Sequence, residues 1–336
     1  MPMPNIFAGE PFTTISLIES FERQPHIPGR AGQLIDWSVD GIITTVAQVE
    51  WVEGSLKLLN PTPRGGNGET TEEDLARAKP LNIPHYQHDD TIMADEVQNE
   101  RALGSENQLM RAMELVEMRQ RQHAQWKLDP TLEYQRIGAL TGVILDASGD
   151  TRLDLFDFFE VNKPAVVNQN MTTLVDGKLR TSFTKTRRAS RKAVGGAVYG
   201  KSRVLAGDDY WDALIENKEV RESYLAQAEA SQLRGNSLYE QFDFAGITFE
   251  NYQGDKEDGT PFIAADEARM FQTGVPGLWR TIYAPADYNE TVNTRGRPRY
   301  SQIVEKQNKK GWDMESQFNA INYCQRPESL RTFKLA

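Results

Sequence analysis

Residues 60–80, NPTPRGGNGETTEEDLARAKP, are too rich in proline, glycine, threonine and charge to be buried, and they lie between two stretches with strand character. Before them, residues 42–59 (IITTVAQVEWVEGSLKLL) alternate Ala47, Val49 and Trp51 with Gln48 and Glu50, the period-2 pattern of a half-buried strand. Gly54 marks a bulge or bend in it. After them, residues 81–93 (LNIPHYQHDDTIM) resume an extended pattern. Strand, polar tip and returning strand make a projecting hairpin. Two strands alone are marginal in water, so a neighbouring molecule is the expected support.

The rest of the chain mixes helices and strands without regular alternation, which predicts an α+β fold rather than a doubly wound sheet. Residues 1–40 carry many turn formers (Pro2, Pro4, Pro11, Pro25, Pro28, Gly29, Gly32) and read as an arm, whose Phe12, Ile15, Leu17, Ile18 and Phe21 need another surface to bury against. Residues 105–127 form the clearest helix: Ser105 and Gln108 have capping-box spacing, and Leu109, Met113 and Val116, with Met110 alongside, make an apolar face. Asp129-Pro130 starts a second helix, running to about Leu140. Residues 143–159 predict a hairpin turning at Ser148-Gly149-Asp150, residues 174–194 a basic helix, and RVLAG (203–207) a strand, after which Asp208 and Asp209 open another helix. Residues 218–234 read as helical, and two strands flank the polar turn Gly254–Gly259. A long alternating strand ends at Arg326-Pro327 and a last short strand follows.

The length, 336 residues, allows one large domain or two ordinary ones. Acidic residues exceed basic ones by 48 − 38 = 10, which argues against a free-standing nucleic-acid binder. A single cysteine, Cys324, forms no internal disulfide and no cysteine zinc cluster, and reads as a small core or interface residue. No apolar run approaches the roughly 20 residues of a membrane span, so no membrane partner is expected. The opening MPMPNIFAGEPFTT lacks a basic and then apolar signal pattern.

GGAVYGKS places Gly195, Gly200, Lys201 and Ser202 at P-loop spacing. A P-loop follows a buried strand and opens a helix, whereas this one follows the charged TSFTKTRRASRKAV and precedes a strand-like segment. A glycine hinge between helix and strand is the plainer reading; a P-loop NTPase stays as a rival. The stretch 178–203 has no acidic residue and includes Arg180, Lys185, Arg187, Arg188, Arg191 and Lys192, a charged patch suited to phosphates, an acidic neighbour or solvent. His85, His88, Asp89 and Asp90 have the composition of metal ligands, but strand geometry sends residues 85 and 88 to opposite faces. No catalytic, metal or cofactor site is expected.

The order of parts carries a resemblance: an arm, then PHIPGRAGQLIDWSVDGIITTVAQVEWVEGSLKLL leading into Arg64-Gly65-Gly66, then the helix and LTGVILDASG, then ADEARMFQTGVPGLWRTIYAPAD, and the strand before Arg326-Pro327-Glu328-Ser329-Leu330 with its terminal FKLA. In this order the chain resembles phage major capsid proteins of the Hong Kong 97 fold, in particular the lambda-type major head proteins (phage capsid protein E). The resemblance covers most of the chain, with the segment 174–203 its weakest part.

That resemblance implies an N-terminal arm (1–40), an extended loop (41–95), a peripheral domain (96–163 and 306–325, with a spine helix at 105–141) and an axial domain (164–305 and 326–336). It implies a non-enzymatic shell subunit that forms hexamers and pentamers around double-stranded DNA, assembled in the host cytoplasm and resident in the virion. Its implied partners are itself, a scaffolding protein, a portal, a decoration protein and non-specifically held DNA. An encapsulin-like compartment of the same fold is the nearer rival. Contacts between subunits are expected from Trp51, Lys57, Arg64, Glu72, Glu73, Asp74 and Arg77, the charged tip setting register and Trp51 contributing apolar burial. Some relatives join subunits by Lys–Asn crosslinks; Lys57 and Lys79 are available, but lambda-type relatives imply none. The basic patch is expected to face packaged DNA or acidic neighbours such as Glu250, Asp255, Glu257 and Asp258.

Overall fold

The computed structural model describes residues 7, 9–24, 29–52, 76–97, 108–171, 178–195, 200–223, 241–256 and 258–335. Its organising strand is β14 (Gly311–Cys324), the long alternating segment near the C-terminus. Against it pair β4 (His85–Met93), β12 (Trp279–Tyr283) and β13 (Tyr300–Glu305), all antiparallel, while β1 (Ser38–Gly41) adds parallel to β12. From Ser316 to Cys324 every residue of β14 is buried, so this strand is covered on both faces.

A long helix crosses that sheet. It comprises α4 (Gln108–His123), a π turn (Ala124–Leu128) and α5 (Asp129–Thr141), together about 50 Å at 1.5 Å per residue. The expected second start at Asp129-Pro130 is corrected: Leu128 and Asp129 stay helical, and the Asp129 amide donates to the Ala124 carbonyl five residues back. The wider π turn accommodates a proline that would otherwise clash with the carbonyl four residues earlier. The Asp129 carboxylate, instead of capping, accepts from Arg299 Nη2 at 2.6 Å. The inward face of α4 is also different from the expected one. Ala112, Leu115 and Val116 are buried with Phe7, Phe12, Leu17, Ile92 and Met314, whereas Met113 faces solvent. Ser105 lies outside the described residues, as do the side chains of Leu109 and Met110.

Gly142 ends α5 at φ +84°, where a Cβ would also strike the Phe156 ring. The chain then forms β5 (Val143–Leu145) and β6 (Thr151–Asp154), turned by Asp146, whose Oδ1 accepts from the amides of Ser148 and Asp150. The expected hairpin is therefore present but shorter; Leu155–Phe158 is a helical turn, α6, capped by Asp154.

The second sheet runs β7 (Val167–Gln169), β15 (Arg331–Leu335), β11 (Glu267–Thr273), β8 (Lys201–Ala206), β10 (Ile247–Asn251), β9 (Gln241–Phe244). β9 and β10 form a tight hairpin at Ala245-Gly246, both at positive φ, a turn of the kind that matches strand twist. One face carries α7 (Lys178–Ala193) and α8 (Asp208–Glu216): Leu179, Phe183, Tyr210, Trp211 and Leu214 pack on Val204, Phe249, Met270 and Phe333. The alternate strand residues Leu205 and Phe271 point the other way, into a core shared with Ile137, Leu140, Trp279 and Tyr323. The break at Arg326-Pro327 moves the chain from the first sheet to the second through a short 3-10 turn (Pro327–Ser329). Cys324 is fully buried there, and burial pushes its thiol up to about 12.

A further expectation is corrected. The N-terminal segment is not an irregular arm: Thr13 caps an amphipathic helix, α1 (Thr14–Arg23), whose Leu17, Ile18 and Phe21 bury against this chain's own body, leaving Ile15 exposed. A short α2 (Arg30–Leu34) follows. Strands from both sides of residue 305 share the first sheet, β12 and β13 lying beside β14.

Helix and first sheet are locked by buried amides. Gln135 Nε2 donates to the Ala320 carbonyl at 2.9 Å, Asn322 Nδ2 donates to Gln135 Oε1, and Thr281 Oγ1 donates to Asn322 Oδ1 at 2.6 Å. Asn322→Leu leaves Gln135 Oε1 and Thr281 Oγ1 without the partners they have there and is expected to cost about 1–3 kcal/mol, a penalty for unsatisfied buried groups; chemical denaturation of the soluble subunit measures it.

Candidate assembly surfaces

The expected hairpin is built from β2 (Val46–Val52) and β3 (Ala76–Asn82), paired from Val46 opposite Asn82 to Val52 opposite Ala76. It is narrower than the 81–93 reading required. Pro84 has no N–H to donate, so the ladder stops at Ile83, and β4 leaves to pair with β14. Lys57, Arg64, Glu72, Glu73 and Asp74, and Gly54 with them, lie outside the described residues.

The base of the hairpin is held by its own chain. Trp51 packs edge-on to Phe159, ring centres 5.1 Å apart, and lies 6.0 Å from Phe158. Glu160 accepts from Arg77 at 2.6 Å and pairs with Lys79 at 2.5 Å, and Lys79 also donates to the Phe158 carbonyl. These lysine and arginine contacts hold the Glu160 carboxyl below its ordinary range. Of the residues expected at a subunit contact, Trp51 and Arg77 meet the end of α6 and the two residues after it, Phe159 and Glu160 (α3, Ala94–Val97, lies past β4). No sequence signal linked Glu160 to a hairpin some eighty residues earlier.

The basic patch divides in the same way. Arg187 donates to the Gly246 carbonyl at 3.0 Å and Arg191 to the Gly200 carbonyl at 2.5 Å. Arg180 lies over the Phe244 ring and donates to Ser223. Lys185, Arg188 and Lys192 are exposed on the outer side of α7. Of the acidic neighbours proposed for this patch, Glu250 is unsuitable: it is buried and paired with Arg30 inside the chain, Arg30 Nη2 donating at 2.8 Å. Asp255 and Asp258 are exposed, while Glu257 lies outside the described residues.

Chemistry is sparse elsewhere. GGAVYGKS sits between the end of α7 and the start of β8, the reverse of strand–loop–helix, with residues 196–199 outside the described residues. A cleft of about 850 Å³ lies beside α5, lined by Arg30, Asp129, Glu133, Glu250, Tyr252 and Phe262. Three of its acids are engaged on at least one oxygen: Asp129 by Arg299, Glu250 by Arg30, and Glu133, whose Oε1 accepts from the Ala31 amide at 2.7 Å and from the Tyr252 hydroxyl at 3.3 Å and whose carboxyl burial raises. On β4, His85 turns to Asn319 while His88 meets the ring of His123, so the two histidines do face apart. Among the described residues no group of three His, Cys, Asp or Glu side chains is placed to hold a metal ion.

Two larger sheets bridged by one long helix, with a side hairpin, define a class by architecture: the Hong Kong 97-like capsid fold. Solved structures agree. The chain is similar, at TM-score 0.56 and 13% identity, to a capsid protein of an Escherichia coli CFT073 prophage, covering 96% of this chain and 99% of that one. It is similar at TM-score 0.50 and 12% identity to the capsid of cyanophage P-SCSP1u, covering 100% and 93%. At the level of sequence, the family described as phage major capsid protein E matches residues 13–335, and the chain belongs to that family. It is 25% identical to the major capsid protein of Pseudomonas phage KPP10, covering 100% of this chain and 99% of that one. It is 22% identical to the major capsid protein of Salmonella phage Felix O1, covering 86% and 87%.

Two predictions come from these contacts. Glu160→Asn keeps a residue that tolerates the positive φ of 57° at this position but removes the clasp; amide hydrogen exchange is expected to speed up in β2 and β3 while the rest of the subunit is unchanged. His123 is buried against Ser316, with Asp90, Arg119 and His88 around it, and burial holds it below the ordinary histidine value of 6.5. The unfolded chain therefore takes up a proton that the folded chain resists, so stability falls as pH drops from 6.5 toward the folded value. Denaturation midpoints at about pH 7 and 5.5 check this, and His123→Gln is expected to flatten the slope.

Proposed function

We propose that this chain is the shell-forming subunit of a tailed bacteriophage head, assembling as hexamers and pentamers into an icosahedral shell around double-stranded DNA. The observation that carries the reading is the family match from residue 13 to residue 335, which takes in every large element of both sheets and the long helix. The fold adds to it: β2 and β3 form a sheet of their own, hydrogen-bonded to neither larger sheet, with Ala47, Val49 and Leu81 packed into the shared core at its base, as a limb anchored on the body and reaching toward a neighbour would. Closed shells are built from head-to-tail contacts repeated by symmetry.

On this reading β4, β13 and β14 with the long helix form the peripheral part, the six-stranded sheet with α7 and α8 the axial part, and residues 46–82 the extended loop. The role is structural rather than catalytic; the reversed setting of GGAVYGKS supports that over an NTPase. Assembly takes place in the host cytoplasm with a scaffolding protein and a portal, a decoration protein adds to the outside, and DNA is held without sequence preference. Among the described residues no helix is long and apolar enough to cross a membrane.

Negative-stain imaging of the overexpressed chain, with its scaffold where one is needed, is expected to show closed particles; a soluble monomer that binds ATP and never assembles would sink the reading. Deleting residues 62–75, which stops short of β3, is expected to leave a folded subunit that does not close into particles. Denaturing gels of wild-type particles should show monomer only, because Lys79 is already engaged by Glu160; a ladder of covalent multimers would contradict this.

A further inference from the structure

The helices α7 and α8 cover the same face of the six-stranded sheet, as their shared buried partners Val204, Phe249, Met270 and Phe333 require. Their outer sides carry opposite charge at the same spacing. On α7 the exposed residues Lys185, Arg188 and Lys192 stand at i, i+3 and i+7, one side of the helix over about 10 Å. On α8 the exposed residues Asp209, Asp212 and Glu216 repeat i, i+3 and i+7. Among the described residues none of these six side chains has an ion-pair or hydrogen-bond partner, whereas Arg180, Arg187 and Arg191 beside them are tied to Ser223 and to carbonyl groups. The inward-reaching cations are used within the chain; among the described residues the outward ones are unpaired.

We propose that α7 of one copy docks on α8 of the next copy through these two stripes, a proposal that rests on the self-assembly reading above. Each subunit then offers one basic and one acidic stripe, and a contact between unlike stripes of successive copies is heterologous, generating a ring where its rotation closes. Parallel and antiparallel alignments both place Arg188 opposite Asp212. Packaged DNA fits this face less well. A duplex laid along α7 would also come near the acids of α8, which covers the same side of the sheet, and those acids would repel its phosphates. The chain's net charge of −10 adds to that repulsion. Exposed ion pairs are individually weak, so the stripes act by setting register and partner choice, repeated at every turn of the ring.

The test uses the full chain under conditions in which the wild type forms particles. Lys185→Glu with Arg188→Glu and Lys192→Glu is one variant; Asp209→Lys with Asp212→Lys and Glu216→Lys is the second; a third carries all six. Circular dichroism and denaturation report folding, and sedimentation reports assembly. Each triple variant is expected to lower particle yield roughly tenfold or more, with the sixfold swap restoring it, as complementary charge requires. The smaller pair Arg188→Asp and Asp212→Arg, singly and together, repeats the cycle with less risk to folding. Triple variants that assemble like the wild type overturn the interface while leaving the assembly reading standing, and so does a well-folded sixfold variant that fails to assemble. Reversal of the basic stripe that yields normal shells emptied of DNA also overturns it and assigns α7 to the genome. A wild type that forms no particles under any condition takes down the assembly reading itself.

Discussion

The amide cluster of Gln135, Asn322 and Thr281 holds the long helix to β14, and most of the remaining structure is arranged around that joint. β14 takes β4, β12 and β13 as partners, so three segments far apart in the chain acquire their register from one strand. Polar groups in a dry core tolerate few arrangements, because each unsatisfied donor or acceptor costs free energy. Apolar packing alone would let the helix slide; the amides fix its position along the strand. The second sheet is tied to the same joint by continuity, since Pro327 turns the chain directly from β14 into β15.

With that frame set, charge is divided between internal and outward use. Arg30, Arg77, Arg187, Arg191 and Arg299 reach carboxylates or carbonyls within the chain, and all but Arg191 join segments distant in sequence. Arginine suits this role because its fork makes several directed hydrogen bonds at once. The hairpin is a case of partial support: Trp51 and Glu160 hold its base, while β2 and β3 pair with each other and with neither larger sheet. Its base is held within the subunit.

Much of this was legible in the residues. The strand at Gly311–Cys324, the break at Pro327, the turn at Gly149 and the basic helix all follow from local periodicity and turn chemistry. The misreadings have local causes too. Prolines on either side of residues 14–23 disguised the i, i+3, i+4, i+7 pattern of Thr14, Leu17, Ile18 and Phe21. Asp129-Pro130 carries a strong helix-start signal, and tertiary pairing with Arg299 overrode it. Met113 and Ala112 differ by one position on the helix, and the neighbouring α1 and β4 chose which of them faces in. Ile83-Pro84 sits inside a continuous extended pattern, and only the missing proline donor marks it as the place where the hairpin ends.

Sequence by itself determined the kinds of element, their order, the polar tip that no core could hold, and the order of parts that marks the capsid family. Those are properties of short stretches of chain: alternation, capping, turn residues and charge. Tertiary structure decided which strands share a sheet, that Glu160 clasps the hairpin, that Glu250 is spent on Arg30, and that the stripes of α7 and α8 share one face. Such pairings depend on distances between residues tens to hundreds of positions apart, and a local pattern carries no record of them.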